Sequence, residues 1–236
     1  MPDMAHMQHA LALGARGLGR TWPNPAVGCV IVKGGRVIGR GWTQDGGRPH
    51  AEPMALAQAG AGAQGATAYV TLEPCSHTGK TAPCAHALID AGVSKVVIAL
   101  GDPDARVNGR GLDMLRNAGI EVVFGLCESE AQAAQIGFLT RIHEGRPMVT
   151  LKMATSWDGR IATATGESQW ITGPQARRRV HAMRANHDAV MVGAGTARAD
   201  DPSLTVRDLG VDRQPIRIVL SRGLDLPLSG ALARTA

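Results

Sequence analysis

His50-Ala51-Glu52, together with Pro74-Cys75 and Pro83-Cys84, is the part of this 236-residue chain that decides its fold. One imidazole and two thiols are three ligands suited to a zinc ion that keeps its fourth position open to water. The carboxylate of Glu52 follows the histidine by two residues, where it is placed to move protons for that water. Zinc lowers the pKa of a bound water toward about 7. The pattern therefore predicts a metal site at His50, Cys75 and Cys84, with Glu52 as the catalytic acid–base.

Taken singly, each of these residues has an ordinary structural interpretation. A lone histidine is usually packed or on the surface, and a free cysteine is usually a small buried hydrophobe. Together they favour a metal, because both cysteines follow a proline and lie near predicted helix starts. A His-x-Glu followed by two Pro-Cys pairs is typical of zinc deaminases acting on nucleobases. A structural zinc module whose fourth ligand is a protein side chain remains the non-enzymatic alternative.

The composition narrows the class of protein. Hydrophobic residues make up 44% of the chain, enough for one large or two small domains. Aromatic residues make up only 3%, which argues against a stacking platform for single-stranded nucleic acid. The four cysteines, two of them assigned to the metal, do not suggest a disulfide framework and fit a cytoplasmic protein. Neither a signal peptide nor a membrane-spanning stretch is apparent, so no membrane partner is expected.

The net charge of +5 is unevenly distributed. Residues 1–145 hold twelve basic and twelve acidic residues, whereas residues 146–236 hold thirteen and eight. A protein acting on long nucleic acid is expected to carry its basic surface beside the catalytic centre, so no nucleic-acid partner is predicted. The excess of basic residues over 146–236 favours an anionic cofactor in that part of the chain. The alternative is an ordinary solvated, arginine-rich surface.

Alternating strands and helices in the first part of the chain predict a three-layer α/β sandwich. Pro53 is tolerated only in a first helical turn, so a helix should begin near His50. Gly101-Asp102-Pro103-Asp104 forms a turn at the carboxyl end of a predicted strand, where α/β sheets place ligands. The other predicted elements are helices over 3–19, 84–90, 111–118 and 129–143, and strands over 27–32, 37–42, 69–72, 93–100 and 120–124.

Two loops are candidates for binding substrate. Asn24 lies between two prolines, where its amide either contacts a heterocycle or caps the turn. Eight residues separate Cys75 from Cys84, and they include His77 and Lys80. These two side chains either hold an anionic group near the metal or face solvent.

Gly145-Arg146-Pro147 is the predicted domain boundary, which divides the chain into domains 1–145 and 146–236. The second domain is predicted to contain strands over 148–154, 188–192 and 216–220 and a basic helix over 174–186. Gly193-Ala194-Gly195-Thr196 follows a strand and offers a short glycine loop for a phosphate.

Several of these motifs together resemble the bifunctional riboflavin-biosynthesis deaminase/reductase family. The motifs are Pro23 to Cys29, His50-Ala51-Glu52 and Glu73 to Cys84, followed downstream by Leu151 to Ala154, Gly166 to Thr172 and Ala199 to Arg207. The long loop between the two cysteines distinguishes this family from cytidine and tRNA-adenosine deaminases. The resemblance implies a cytidine-deaminase-like three-layer α/β/α sandwich, followed by an incomplete α/β domain resembling dihydrofolate reductase.

The resemblance also implies two consecutive reactions. The first is the hydrolytic deamination of 2,5-diamino-6-(5-phosphoribosylamino)pyrimidin-4(3H)-one to 5-amino-6-(5-phosphoribosylamino)uracil, with zinc held by His50, Cys75 and Cys84 and protons moved by Glu52. The second is reduction of the ribosyl group to ribityl by NADPH. By position in the family, NADPH contacts are implied at Ala154, Trp170, Thr196, Asp200 and Ser221, and substrate contacts in the reductase half at Ser168, Arg184, Leu204 and Arg207.

Only 91 residues follow the predicted boundary, fewer than the family's reductase half contains, and its later glycine-rich cofactor loop has no counterpart. We therefore expect a competent deaminase joined to a reductase half that is inactive alone. The expected partner is a small phosphorylated pyrimidine, and a homo-oligomer is possible. A nucleoside or tRNA-editing deaminase with an unrelated C-terminal extension is the enzymatic alternative.

Overall fold

The computed structural model describes residues 3–79, 82–225 and 229–235. The chain divides into two compact units, Met1–Met148 and Val149–Ala236, called unit 1 and unit 2 below. This division lies three residues beyond the boundary predicted at Gly145-Arg146-Pro147. Within the described residues, every helix is too short or too polar to cross a lipid bilayer.

Unit 1 alternates helices and strands along the chain. Its helices are α1 (Met4–Gly14), α2 (Ala51–Ala59), α3 (Cys84–Asp90), α4 (Arg110–Asn117), α5 (Glu128–Ala134) and α6 (Ile136–Glu144). Its strands are β1 (Gly28–Lys33), β2 (Arg36–Trp42), β3 (Thr67–Val70), β4 (Lys95–Ile98) and β5 (Glu121–Phe124).

The five strands form one mixed sheet with the order β2-β1-β3-β4-β5. Strand β1 is antiparallel to both of its neighbours, whereas β3, β4 and β5 run parallel. Helix α2 contacts α3, which contacts α4, and α1 contacts α5, so the helices form two groups. This arrangement confirms the predicted three-layer sandwich.

The core of unit 1 lies along the central strands. Cys29, Val30 and Ile31 of β1 are consecutive and fully buried, and so are Val96 and Val97 of β4. Strands buried on both faces have nearly continuous apolar runs of this kind. Each large apolar side chain buried in this way contributes roughly 1.5–3 kcal/mol relative to an exposed one.

A close approach between β2 and α2 positions the segment that begins at His50. A Cβ atom added at Gly41 would lie 2.1 Å from the carbonyl oxygen of Ala51, so only glycine fits there. The first turn of α2 therefore rests directly on the strand backbone. Because that turn carries Glu52, this contact fixes the height of the carboxylate above the sheet.

The structure breaks one predicted helix in unit 1. Residues 129–143 were expected to be continuous, but α5 ends at Ala134 and α6 begins at Ile136. Gln135 between them has φ −98° and ψ 8°, and its side-chain amide donates to the carbonyl oxygen of Ala26 at 2.7 Å. This buried bond joins residues 109 positions apart, so no local pattern could predict it.

Unit 2 contains α7 (Pro174–Ala185), β6 (Ala189–Gly193), α8 (Ala194–Asp200), β7 (Ile216–Leu220) and α9 (Ala231–Arg234). Strands β6 and β7 pair in parallel. Helix α8 begins where a glycine loop was expected, so that prediction is corrected to a helical turn directly after β6.

The predicted strand over 148–154 is wrong. Val149, Leu151 and Met153 alternate as a strand would, but this segment joins no sheet, and the three side chains are 72%, 80% and 64% exposed. A strand needs a neighbour to receive its backbone hydrogen bonds, and among the described residues of unit 2 only β6 and β7 form a ladder.

Candidate metal centre and active site

Three separate elements place the predicted metal ligands. His50 is the N-cap residue of α2, and Pro53 occupies the first turn of that helix, as predicted. Cys75 lies in the segment that follows β3, and Cys84 is the first residue of α3. Both helices therefore point their positive ends at this position, which favours negatively charged ligands such as thiolates.

The three side chains converge. The Nδ1 atom of His50 lies 3.3 Å from the Sγ of Cys84 and 3.7 Å from the Sγ of Cys75. All three ligand atoms lie within 4.8 Å of one another. One imidazole and two sulfurs at this spacing match the donor set of a zinc site that leaves one position open. The set fits zinc better than it fits Mg²⁺ or Ca²⁺, which prefer oxygen ligands.

The two thiols share a proton, which shifts their pKa values in opposite directions. Hydrogen bonds from the Cys84 thiol, His50 and the Cys84 backbone N–H lower the pKa of Cys75 to about 4. The Cys75 sulfur accepts from that N–H at 3.3 Å. The pKa of Cys84 is raised because its proton is shared with Cys75 and its sulfur is buried. A bound divalent cation reverses this, because it deprotonates a coordinating thiol.

Glu52 lies beside the ligands and is almost completely buried, with 3% of its surface exposed. Burial, followed by repulsion from Cys75, raises the pKa of this carboxyl group to about 7. A carboxyl group with a pKa close to neutral can both accept and return a proton, which suits an acid–base catalyst.

The two loops predicted to bind substrate also reach the cavity above the ligands. The Nδ2 atom of Asn24 donates to the carbonyl oxygen of Gly47 at 2.8 Å and lies 3.4 Å from the Nε2 of His50. The Nδ1 atom of His77 is buried and has no hydrogen-bond partner among the described residues, which makes it a candidate ligand contact. Lys80 lies outside the described residues.

Several further polar residues line the same cavity. They come from four different segments and are Thr43, Arg48, Asp102, Asp104, Arg106 and Arg141. The sequence predicted that Asp102 and Asp104 lie in a turn after a strand, where ligands bind. The other four residues have no local sequence feature that indicates a role in the site.

The pKa values of the two aspartates of this turn are shifted in opposite directions. Desolvation raises the pKa of Asp102 to about 6, whereas the hydrogen bond from Arg106 lowers the pKa of Asp104 to about 2. The guanidinium of Arg106 contacts both carboxylate oxygens of Asp104, the closest at 2.6 Å. The cavity therefore has a buried acid in its wall and an ion pair at its rim.

In unit 2 the structure brings together three of the four residues proposed to contact the reductase substrate. Arg184 donates to the carbonyl oxygen of Thr205 at 3.0 Å, which ties α7 to the loop carrying Leu204 and Arg207. Burial and the proximity of Arg207 lower the pKa of Arg184. No hydrogen bond in the described residues links Ser168 to this group.

The residues proposed to contact NADPH are more dispersed. Thr196 in α8 and Ser221 after β7 follow the carboxyl ends of paired parallel strands, so they lie near one sheet edge, whereas Asp200 is the last residue of α8. Trp170 is 70% exposed, and the guanidinium of Arg177 lies 4.5 Å from its ring centre. Ala154 lies in the unpaired segment before these elements.

Two family models match the chain. The model for the cytidine and deoxycytidylate deaminase zinc-binding region matches residues 1–100, and the model for the RibD C-terminal domain matches residues 147–236. The first contains all three candidate ligands and Glu52. The second contains the residues of unit 2 discussed above.

Individual relatives match across both units. The riboflavin biosynthesis protein RibD of Aquifex aeolicus is 48% identical over 233 residues, which is 99% of this chain and 65% of that protein. The chain therefore spans less than two thirds of that relative's length.

Solved structures extend the comparison to the fold. Acinetobacter baumannii RibD is 51% identical with a TM-score of 0.89, over 98% of this chain and 67% of that one. A deaminase/reductase from Thermotoga maritima is 45% identical with a TM-score of 0.87, over 93% of this chain and 63% of that one. The chain belongs to the RibD family of riboflavin biosynthesis proteins.

Proposed function

We propose that unit 1 is a zinc-dependent deaminase that converts 2,5-diamino-6-(5-phosphoribosylamino)pyrimidin-4(3H)-one and water into 5-amino-6-(5-phosphoribosylamino)uracil and ammonia. The observation that carries the proposal is the convergence of His50, Cys75 and Cys84 beside the buried carboxyl group of Glu52. The Thermotoga maritima relative is described as a diaminohydroxyphosphoribosylaminopyrimidine deaminase, which supports this substrate.

The chemistry divides between the metal and the protein. When bound, zinc supplies the Lewis acidity that makes a water molecule a nucleophile near neutral pH. Glu52 accepts one proton from the attacking water and delivers it to a ring nitrogen, and it then takes the second proton from the added hydroxyl group and delivers it to the departing amine. The C2–O bond forms first, the bond from C2 to the exocyclic nitrogen then breaks, and that nitrogen leaves as ammonia. With a pKa near 7, Glu52 can serve in both directions of this transfer.

The substrate has donor groups and a phosphate, and the cavity offers partners for both. Asn24 and Asp102 present an amide and a carboxyl group to the heterocycle, and the unpartnered Nδ1 of His77 adds a further polar contact. We place the ribosyl phosphate toward Arg106, which lines the cavity. Lys80 stays a candidate from the sequence motif alone. These contacts favour a free phosphorylated pyrimidine as the substrate over a polynucleotide. A small substrate of this kind suits a cytoplasmic biosynthetic enzyme.

For unit 2 we propose the role of a reductase part, with the domain boundary near residue 146. Arg184 and Arg207 form a cationic pair that suits the substrate phosphate, and the shared edge with Thr196 and Ser221 suits NADPH. When bound, NADPH would supply the hydride. The exposed indole of Trp170 is the apolar surface available to a cofactor ring in this region.

An ammonia-release assay tests the deaminase proposal and separates it from its alternatives. The zinc-loaded chain should release ammonia from the diaminopyrimidine ribosyl phosphate and not from cytidine or an RNA loop. Release from cytidine or RNA alone would support a nucleoside or tRNA-editing enzyme instead. A chain that binds zinc but whose Glu52→Ala variant matches the unmodified protein in every assay would be a structural zinc module.

A further inference from the structure

Glu73 is a buried carboxyl group in unit 1 that the proposed chemistry does not use. Only 4% of its surface is exposed. It precedes the ligand Cys75 by two residues, and its backbone N–H donates to the carbonyl oxygen of Leu100 at 2.8 Å. A buried carboxylate is unfavourable unless hydrogen-bond donors satisfy it, so the partners of Glu73 indicate its role.

The side-chain carboxylate of Glu73 accepts four hydrogen bonds from the described residues, all from backbone N–H groups of one segment. Oε1 accepts from Gly111 at 2.9 Å and from Leu112 at 3.3 Å. Oε2 accepts from Gly109 at 3.0 Å and from Asp102 at 3.4 Å. The bonds therefore hold both ends of the loop that lies between β4 and α4.

This carboxylate also takes the place of a missing helix cap. Helix α4 begins after Gly109, which has no side chain to cap the free N–H groups of the first turn. A Cβ atom added at Gly111 would lie 2.1 Å from the carbonyl oxygen of Pro74, so the helix start is pressed against the backbone between Glu73 and Cys75. This contact keeps the helix from moving closer to Pro74, and the hydrogen bonds to Glu73 keep it from moving away.

The loop held in this way forms a wall of the active-site cavity. Asp102, Asp104, Arg106 and Val107 all line that cavity and lie between the first and last N–H groups that Glu73 binds. Cys75 is joined to Glu73 through a single proline. The Glu73 side chain thus connects the segment that carries Cys75 to the cavity wall formed by residues 102–107.

We propose that Glu73 is a positioning residue that fixes the 102–107 wall relative to the metal site, and so sets the affinity for substrate rather than the rate of the chemical step. The inference rests on the proposed deaminase function. Loss of the anchor leaves the ligands in place but lets the wall populate arrangements that do not bind, and the apparent affinity falls with the competent fraction.

The test is Glu73→Gln in the full chain, because glutamine keeps the length and shape but turns an N–H donor toward backbone donors. We expect zinc content equal to the unmodified protein, kcat within about threefold and KM raised about tenfold, which corresponds to about 1.4 kcal/mol. Asp113→Asn is the matched control: it removes an exposed carboxylate from the first turn of the same helix, and kcat and KM should not change.

An unchanged KM in a folded Glu73→Gln protein would overturn the proposal, even if its melting temperature fell. Loss of zinc together with kcat would also overturn it, since Glu73 would then act on Cys75. If Glu73→Gln does not fold, Gly109→Ala carries the test. A side chain there meets no neighbour but strains a residue at φ +88°, so KM should rise several-fold, and an unchanged KM overturns the proposal. Failure of the proposed function is distinct, because the unmodified protein would then release no ammonia.

Discussion

The two units use similar strands with opposite results for burial. In β4 of unit 1, Val96, Val97 and Ile98 are all fully buried. In β7 of unit 2, Ile216, Ile218 and Leu220 lie on one face and are 66%, 42% and 69% exposed. Apolar β-branched residues predict a strand in both places, but only packed layers of helices turn a strand into a core.

The difference extends to the functional residues. In unit 1 a covered sheet and two helix starts hold the three ligands and Glu52 close together. In unit 2 the buried apolar side chains among the described residues are Ala197, Leu204 and Val206, and the proposed cofactor contacts are dispersed. Preorganised geometry therefore goes with the layer that is packed on both sides.

Glu52→Gln should have the largest effect, and the effect should be confined to unit 1. Removing a general acid–base typically lowers the rate about 10²–10⁴-fold, while the metal ligands remain. Ammonia release should fall by that factor with zinc content unchanged. His50→Ala is the companion variant, and it should lose zinc as well as activity. Full activity in Glu52→Gln would remove the carboxyl group from the mechanism.

Matched isoleucine truncations sharpen the comparison of the two sheets. Ile98→Ala opens a cavity in a fully buried position of β4 and should lower the free energy of unfolding by about 2–5 kcal/mol. Ile218 also lies in a parallel strand, but its side chain is 42% exposed. Ile218→Ala should therefore change the free energy of unfolding by about 0.5 kcal/mol or less. Denaturant unfolding measures both. Equal losses would mean that the face of β7 is covered in solution.

The two aspartates at the cavity should show opposite pH dependences. Burial raises the pKa of Asp102 to about 6 in the folded protein, so its ionisation destabilises the fold progressively as the pH rises from about 4 to 6. Asp102→Asn should remove this loss, becoming more stable than the unmodified protein above pH 6, while weakening substrate binding.

Asp104 supplies the control of opposite sign. Arg106 lowers its pKa to about 2, so the pair stabilises the fold above about pH 4, and this stability disappears as the pH falls toward 2. Asp104→Asn should be destabilised above pH 4 and indistinguishable from the unmodified protein near pH 2. Thermal melts across pH 2–7 measure both variants, and parallel curves for the two would contradict these assignments.

The smallest expected effect concerns ion pairs. Lys95 and Glu121 are register partners on β4 and β5, with their charged atoms 2.8 Å apart. Lys95→Ala should lower the free energy of unfolding by about 0.2–1 kcal/mol, because the Glu121 side chain is 63% exposed and solvent screens the pair. Arg198→Ala in unit 2 breaks a more exposed pair with Asp225 and should change stability less. Raising the salt concentration should reduce the difference for Lys95→Ala.

How much the sequence could predict depended on how local each cause was. Pro53 limited where α2 could begin, and the Pro-Cys pairs indicated α3 and two ligands, because these are short-range constraints. The break at Gln135 and the anchoring of the 102–112 loop by Glu73 depend on partners 109 and up to 39 residues away. The strand predicted over 148–154 is wrong for the same reason, because alternating apolar residues do not show whether a neighbouring strand is present.

The most direct test of the central claim is the zinc content of the purified chain measured alongside its ammonia release from the diaminopyrimidine ribosyl phosphate. We expect one zinc ion per chain, held by His50, Cys75 and Cys84. Ammonia release should stop when the metal is chelated and return when zinc is restored. A chain without zinc that still releases ammonia, or a zinc-loaded chain that releases none, would contradict it.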